Sequence, residues 1–340
     1  MEFIIYILLL LILSVETKDN ICRNNYGKFT DWYFIYLLPK MKEDINKIYY
    51  LYFDSNEEKF KKFVYDDKSF PPNIINEYII NDNDINYFVW NDDPTRRDEK
   101  KRIGPKSKAH SKGILIYNEK NGLFLIHSLP KFPTRTINNF IINELPKNSG
   151  IYAQVFLCVS INKKYAEIIV KILNCINVLI NKSISYDKVN QFPNFSILNL
   201  IIDSGDNYCL IDKIINITSI NGKKFTFIIK DNNSNENIYD SILRKLYEDN
   251  FLVRTWSRPK LLPPLKDQFF IKNIFEIKFG NIKLGKNNDH SKWAISLNKK
   301  IVCVGDLNHC ESQNVRTGNI ICFDNDILND FLKKSIIKTD

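Results

Sequence analysis

Apolar runs of strand length, each closed by a turn residue, recur along most of this chain and set its expected architecture. Trp32-Tyr33-Phe34-Ile35-Tyr36-Leu37-Leu38 is unbroken enough for a strand buried on both faces, and Pro39 stops it. Ile48-Tyr49-Tyr50-Leu51-Tyr52-Phe53 predicts its neighbour, and Ile85-Asn86-Tyr87-Phe88-Val89-Trp90 predicts a strand that enters the turn Asn91-Asp92-Asp93-Pro94. Residues 113–117 and 122–128 flank a turn at 118–121, while 293–296 and 301–306 flank another at 297–300, so each pair predicts a hairpin. Further strands are expected at 152–160, 197–202, 224–230 and 274–279.

The period lengthens to that of a helix over 163–181, where Ile168, Ile169, Ile172, Leu173, Ile176, Leu179 and Ile180 share one face. Helices are also expected over 236–248 and 325–336. Pro130, Pro133 and Pro146 mark one loop region, and 259–264 another. Strands and helices are mixed without strict βαβ alternation, which predicts an α+β fold.

The same three residues head both hairpins: His110-Ser111-Lys112 and His290-Ser291-Lys292. The chain has only four histidines, and two of them open this string. In an extended strand a His and a Lys two apart share one face and the Ser between them points away. The copies stand 180 residues apart, too far for a solenoid repeat of about 20–50 residues. Two similar halves that face each other fit the spacing, and each hairpin's first strand is expected to begin at its His-x-Lys pair.

Two imidazoles and two ammoniums around one space suit a phosphodiester. Lysines balance the charge on the non-bridging oxygens, one His attacks phosphorus and the other protonates the leaving oxygen. No cofactor and no metal are called for, since the ammoniums take the place of a divalent cation and no Cys/His set has metal-ligand spacing. One imidazole must be neutral and the other charged, which near the reference value of about 6.5 predicts a mildly acidic working medium.

Composition adds a partner and a compartment. The 340 residues carry a net charge of +9, which favours an anionic partner such as nucleic acid or a membrane surface, although lysines on solvated faces give the same balance. The charge run 96–102 stops just before His110 and is either a solvated loop or a guide for a polyanion. Residues 3–13 form an apolar run with the length of a signal-peptide core, so 1–18 is expected to be a cleaved signal and the mature protein to leave the membrane. Seven cysteines without a Cys-x-x-Cys pattern agree with an oxidising compartment, where sequons at Asn181, Asn194, Asn216 and Asn232 would be usable.

Several ordered stretches resemble the deoxyribonuclease II family of acid endonucleases, whose fold is phospholipase D-like. They are Asp31-Trp32-Tyr33-Phe34-Ile35-Tyr36 with Leu38-Pro39-Lys40, Val89-Trp90-Asn91-Asp92, His110-Ser111-Lys112-Gly113, and Ile126-His127-Ser128-Leu129-Pro130-Lys131-Phe132-Pro133. Leu157-Cys158-Val159-Ser160, Asp289-His290-Ser291-Lys292-Trp293 and Cys303-Val304-Gly305-Asp306-Leu307-Asn308 follow, with Cys322 after them, and residues 161–272 match only loosely.

The resemblance implies two pseudo-symmetric halves, 19–185 and 186–340, each a β-sheet flanked by helices and together one catalytic unit. It implies that His110, Lys112, His290 and Lys292 are catalytic and that Asn308 binds phosphate. His127, Ser128 and Lys131 are implied as supporting residues, although a satisfied core histidine is the competing reading of His127. It further implies disulfides Cys22–Cys158 and Cys303–Cys322, a DNA substrate cut to 3′-phosphate ends through a phosphohistidine, and a secreted or lysosomal location. The wider superfamily favours His110 as the attacking residue.

The chain departs from the family pattern at Ala109, where Gly is usual, at Lys131, where Asn is frequent, and at Ala294, where Cys is common. Cys175, Cys209 and Cys310 receive no partner from the resemblance. These departures leave a second reading, a secreted DNA-binding or host-interaction protein that keeps the fold and has lost turnover. The sequence leaves the oligomeric state open, a homodimer among the options.

Overall fold

The computed structural model describes residues 21–41, 44–57, 59–73, 86–92, 109–135, 140–141, 145–146, 149–176, 178, 213–231, 234–258 and 260–340. The expected signal, the charge run 96–102, the strand at 197–202, Cys209 and the sequons at Asn181, Asn194 and Asn232 lie outside these residues.

The first sheet is built from β1 (Trp32–Leu37), β2 (Tyr49–Asp54), β3 (Lys61–Val64), β4 (Asn86–Asn91), β5 (Lys112–Tyr117) and β6 (Asn121–His127), completed by a long strand. After the ribbon of β7 (Thr134–Arg135) and β8 (Phe140–Ile141), that strand, β9 (Gln154–Asn162), closes the sheet in the order β3-β2-β1-β9-β6-β5-β4. Helix α1 (Lys163–Cys175) follows and packs on β5, β6 and β9.

The second half opens with β10 (Ile214–Thr218) and β11 (Lys224–Lys230), followed by a π-turn at Tyr239–Leu243 that runs into the short α2 (Arg244–Tyr247). Strands β12 (Phe251–Arg254), β13 (Ile271–Phe279), β14 (Ile282–Gly285), β15 (Trp293–Ser296), β16 (Ile301–Gly305) and β17 (Gly318–Asp324) come next. Helix α3 (Asp326–Ser335) packs on β13, β15 and β16, and β18 (Ile336–Thr339) pairs with β13. The order is β10-β11-β17-β16-β15-β12-β13-β14, antiparallel except for the β12–β13 pair.

Five strands of one sheet repeat in the other. The path β1-β9-β6-β5-β4 and the path β11-β17-β16-β15-β12 have the same chain order, and a helix follows the equivalent strands β9 and β17. Registers agree as well: Gly113 faces Ile126 and Trp90, where Trp293 faces Val304 and Arg254. Leu157 faces Ile126 and Phe34, where Ile321 faces Val304 and Phe227. The halves are therefore pseudo-symmetric at the level of single residues, and the fold is the mixed α+β kind the sequence predicts.

Alternation along the strands splits the core. Trp32, Phe34 and Tyr36 join residues of both sheets and both long helices in one central cluster, while Tyr33, Ile35 and Leu37 face an outer cluster with Ile114, Ile116 and Leu125. Ile228, Phe251, Ala294, Cys303 and Cys322 form the corresponding outer cluster of the second sheet. The disulfides Cys22–Cys158 and Cys303–Cys322 lie on these outer faces, and Cys158 and Cys322 hold equivalent positions. Cys175 is also disulfide-bonded, and Cys310 is free and buried.

Two expected boundaries shift. The hairpin strands begin at Lys112 and Trp293, not at the histidines, because the backbone N–H of each His bonds to the opposite half instead of to its own sheet. The helix expected over 236–248 begins instead as the π-turn, and its last turn ends at Glu248 in the left-handed region.

Equivalent positions behind the two His-Ser-Lys strings are filled in different ways. In the first half the Trp90 ring lies against Gly113, where an added Cβ would meet Trp90 Cζ2 at 2.4 Å, and Ala109 is buried nearby. In the second half Trp90 is replaced by Arg254 and Ala109 by Asp289, both wholly buried and paired at 2.8 Å. The guanidinium also donates to the carbonyls of Ile274 (3.0 Å), Leu284 (3.3 Å) and Gly285 (2.9 Å), and Asp289 accepts from Tyr36 Oη at 2.5 Å and Ser291 N at 3.0 Å. Removing one member of such a pair leaves an uncompensated buried charge. Arg254→Met should therefore lower stability by about 3–5 kcal/mol, with part recovered in Arg254→Met/Asp289→Asn. Chemical denaturation would measure it, and a single variant as stable as the wild type would refute the role given to the pair.

Candidate active site

Each half delivers its histidine to the other half. His110 N donates to Thr317 O at 3.0 Å and His290 N to Ala153 O at 2.9 Å, and Thr317 and Ala153 are equivalent positions just ahead of β17 and β9. The rings follow the same rule: His110 Nδ1 lies 2.7 Å from Asp306 O and His290 Nδ1 lies 3.0 Å from Ser128 O, two more equivalent positions. A carbonyl oxygen can only accept, so each Nδ1 carries the proton and each Nε2 keeps its lone pair in the neutral ring. The serines between point away, as period two requires: Ser111 Oγ accepts from Trp90 Nε1 at 2.8 Å, and Ser291 Oγ lies 2.9 Å from Tyr36 Oη.

The four predicted residues converge. Lys292, Lys112 and His110 all act on the charge of His290, in that order after burial itself, and together they hold its imidazole well below the usual histidine range. Burial likewise lowers His110 well below that range, with Lys112, Lys292 and Arg316 adding to the shift and Asp92 opposing it. Lys292 Nζ donates to His290 O at 2.7 Å, and its 3.4 Å approach to Nδ1 is a charge contact because that nitrogen already carries a proton. Burial, then Lys112, pushes the Lys292 ammonium down to about 7.

Three acidic or basic groups at the site were not singled out from sequence. Asp92 pairs with Lys112 Nζ, lies 3.7 Å from His110 Nε2 and 3.6 Å from Arg316 Nη2. Burial alone would raise its pKa, but Lys112, His110 and Arg316 outweigh that and hold the carboxyl well below the usual range. Asp306, whose carbonyl holds His110, has a carboxyl that burial pushes up to about 7 against Ser111, Lys112 and Asn319. Two aromatic residues were also missed: the Trp256 ring lies 5.1 Å and the Tyr152 ring 6.5 Å from the His290 ring. Asp92 and Asp306 lie within stretches that carry the family resemblance, but Arg316, Trp256 and Tyr152 become visible only once strand registers are known.

The supporting residues fare unevenly. Ser128 reaches the site through its carbonyl, while its hydroxyl donates to Gln154 Oε1 at 2.7 Å and accepts from Val155 N at 2.9 Å. His127 is buried against Phe132 and Phe156, and burial followed by Lys112 pushes it down to about 3. Asn308 is buried, and its Oδ1 accepts from Trp256 N at 3.2 Å. Its loop is braced by the buried His309, with Nδ1 2.8 Å from Asn273 Oδ1 and Nε2 3.1 Å from Asp240 Oδ1. Lys131 is exposed in a left-handed turn, and no described contact of its ammonium reaches the site. Asn216 is exposed on β10 with its Oδ1 accepting from Thr226 Oγ1 at 2.8 Å.

Comparison with known proteins agrees with this geometry. The family model for deoxyribonuclease II matches residues 21–340. The chain is 26% identical over 330 residues to deoxyribonuclease-2-beta of Mus musculus, covering 91% of this chain and 89% of that protein. It is 23% identical over 331 residues to deoxyribonuclease-2-alpha of Bos taurus, covering 93% and 89%. It is also 23% identical over 343 residues to cell death-related nuclease 6 of Caenorhabditis elegans, covering 93% and 88%. A match across all the described strands, with both His-Ser-Lys strings at the junction of the halves, means that this chain belongs to the deoxyribonuclease II family of nucleases.

Proposed function

We propose that the protein is an acid endodeoxyribonuclease that needs no metal, cutting DNA to 3′-phosphate ends through a phosphohistidine, with residues 19–185 and 186–340 forming one catalytic unit. The observation that carries this reading is the reciprocal bond of each Nδ1 to a carbonyl of the other half, which presents two Nε2 atoms to one space. Lys112 and Lys292 supply the positive charge that a phosphodiester requires, and Asn308 Nδ2 adds a donor. The net charge of +9 draws DNA toward the site.

In the first step a neutral Nε2 bonds to phosphorus, the bond from phosphorus to O5′ breaks, and the other imidazolium gives its Nε2 proton to O5′. Water then adds to phosphorus, its proton passes to that second imidazole, and the P–N bond breaks to release the 3′-phosphate. A cleaved leader at 1–18, sequon use at Asn216 and a secreted or lysosomal location belong to the same reading. Two observations are compatible with it: oxidised cysteine pairs, and the absence among the described residues of a helix long and apolar enough to cross a membrane.

Purified protein should nick supercoiled plasmid in a chelator near pH 5, and His110→Ala or His290→Ala should each lose about 10³-fold or more. Full activity in either variant rejects the mechanism, and DNA retention without nicking by the wild type favours the non-catalytic alternative. The pH profile has a definite sign. The proton donor is lost as pH rises through a pKa held below the usual 6.5, so nicking should fall away toward neutrality rather than peak there. A maximum above pH 7 in a plasmid assay would contradict this.

A further inference from the structure

The pseudo-symmetry makes the two histidines equivalent in backbone and in Nδ1 partner, so any difference in role must come from what surrounds Nε2. Registers identify the positions to compare. Trp90 faces Gly113 and Arg254 faces Trp293, so Asp92 and Trp256, each two residues further along, are equivalent. His127 faces Phe156 and Gly305 faces Ile320, so Tyr152 and Arg316, each four residues earlier, are equivalent. One pair belongs to the half that carries the histidine and the other pair to the opposite half.

These two positions hold an ion pair on one side and an aromatic pair on the other. Around His110 they are Asp92 and Arg316, 3.6 Å apart, with Asp92 Oδ2 3.7 Å from His110 Nε2. Around His290 they are Trp256 and Tyr152, with ring centroids 4.7 Å apart and both rings against the imidazole. Resting on the nuclease reading, we infer that the two imidazoles have fixed and different roles: His290 Nε2 is the nucleophile, and His110, held by Asp92, is the acid that protonates O5′ and then the base for water.

The charges that face each ring support the division. His110 meets Asp92 from the end of β4, Lys112 from its own strand, Lys292 from the head of β15 and Arg316 from the turn before β17. The leading charges on His290 are Lys292, Lys112 and His110, all cationic or able to become so, while the neighbouring Asp289 is engaged by Arg254 and Tyr36. When one proton is shared by the pair it therefore resides on His110, leaving the His290 lone pair free. His290 is also the more exposed of the two, as the atom that first meets the phosphate should be, while His110 is 8% exposed. Asp92 is a positioning residue here, acting through His110. The assignment reverses the one that superfamily likeness suggests.

The test uses thymidine 3′-(4-nitrophenyl phosphate), whose nitrophenolate leaves without a proton. Wild-type enzyme is quenched in alkali during turnover, and the phosphorylated histidine is located by mass spectrometry. The phosphate is expected on His290. His110→Ala should release about one equivalent of nitrophenolate and then stall, because the acid is unnecessary for departure and the base for water is missing. His290→Ala should give no burst.

Asp92→Asn should lose about tenfold or more on DNA, far less on the nitrophenyl ester, and its DNA profile should move to lower pH by about one unit. Phosphate on His110, or a burst from His290→Ala alone, overturns the assignment while leaving the nuclease reading intact. Equal losses on both substrates with an unmoved profile would make Asp92 merely structural. A wild type inactive on both substrates removes the nuclease reading and this inference with it.

Discussion

The site depends on a reciprocal exchange across the junction of the halves, in which the N–H and the Nδ1 of His110 and of His290 bond to main-chain carbonyls of the other half. A carbonyl that ends a strand cannot swing or change protonation state, so it fixes both the tautomer and the direction of Nε2. Neither half alone can do this, since the carbonyl it would need for its own His lies in its partner. The central cluster from Trp32 to Leu332 holds the two sheets and two long helices in the alignment that these bonds require.

Such a site concentrates like charge in a buried place. Lys112, Lys292 and two imidazoles share it, and the strain appears as a Lys292 ammonium lowered to about 7 and two histidines held below their usual range. A phosphodiester answers that charge from outside, which is how such a cluster favours its substrate. Asp92 answers part of it from within, and its carboxylate lies beside the His110 ring. Strict symmetry would give two histidines of equal proton affinity, whereas two-step transfer needs one base and one acid. The exchange of an ion pair for an aromatic pair at equivalent positions breaks the symmetry around the two rings, as the proposed two-step transfer would require.

The cores show a similar exchange. Behind one string Trp90 lies over Gly113 with Ala109 beside it, and behind the other Arg254 meets Asp289. Each solution fills its space, one by apolar burial and one by a pair whose every partner is satisfied. The Ala109 departure from the family pattern sits in this packing, buried beside His110, and Lys131 is exposed.

Strands with long apolar runs, the two hairpins, α1 and α3 were legible because burial on one or both faces writes a period into the residues, and the doubled His-Ser-Lys was legible because the chain has so few histidines. The short edge strands β3, β14 and β18 and the π-turn at 239–243 were not, since their residues carry weak apolar pattern and gain structure from neighbours. What the sequence by itself determined was the α+β class, the repetition of the chemistry and the family. Only the tertiary structure decided that each histidine is held by the opposite half, and that Asp92 with Arg316 stands where Trp256 with Tyr152 stands in the other half. The reason is that register between distant strands is fixed by the packing of whole sheets, and no local spacing records it.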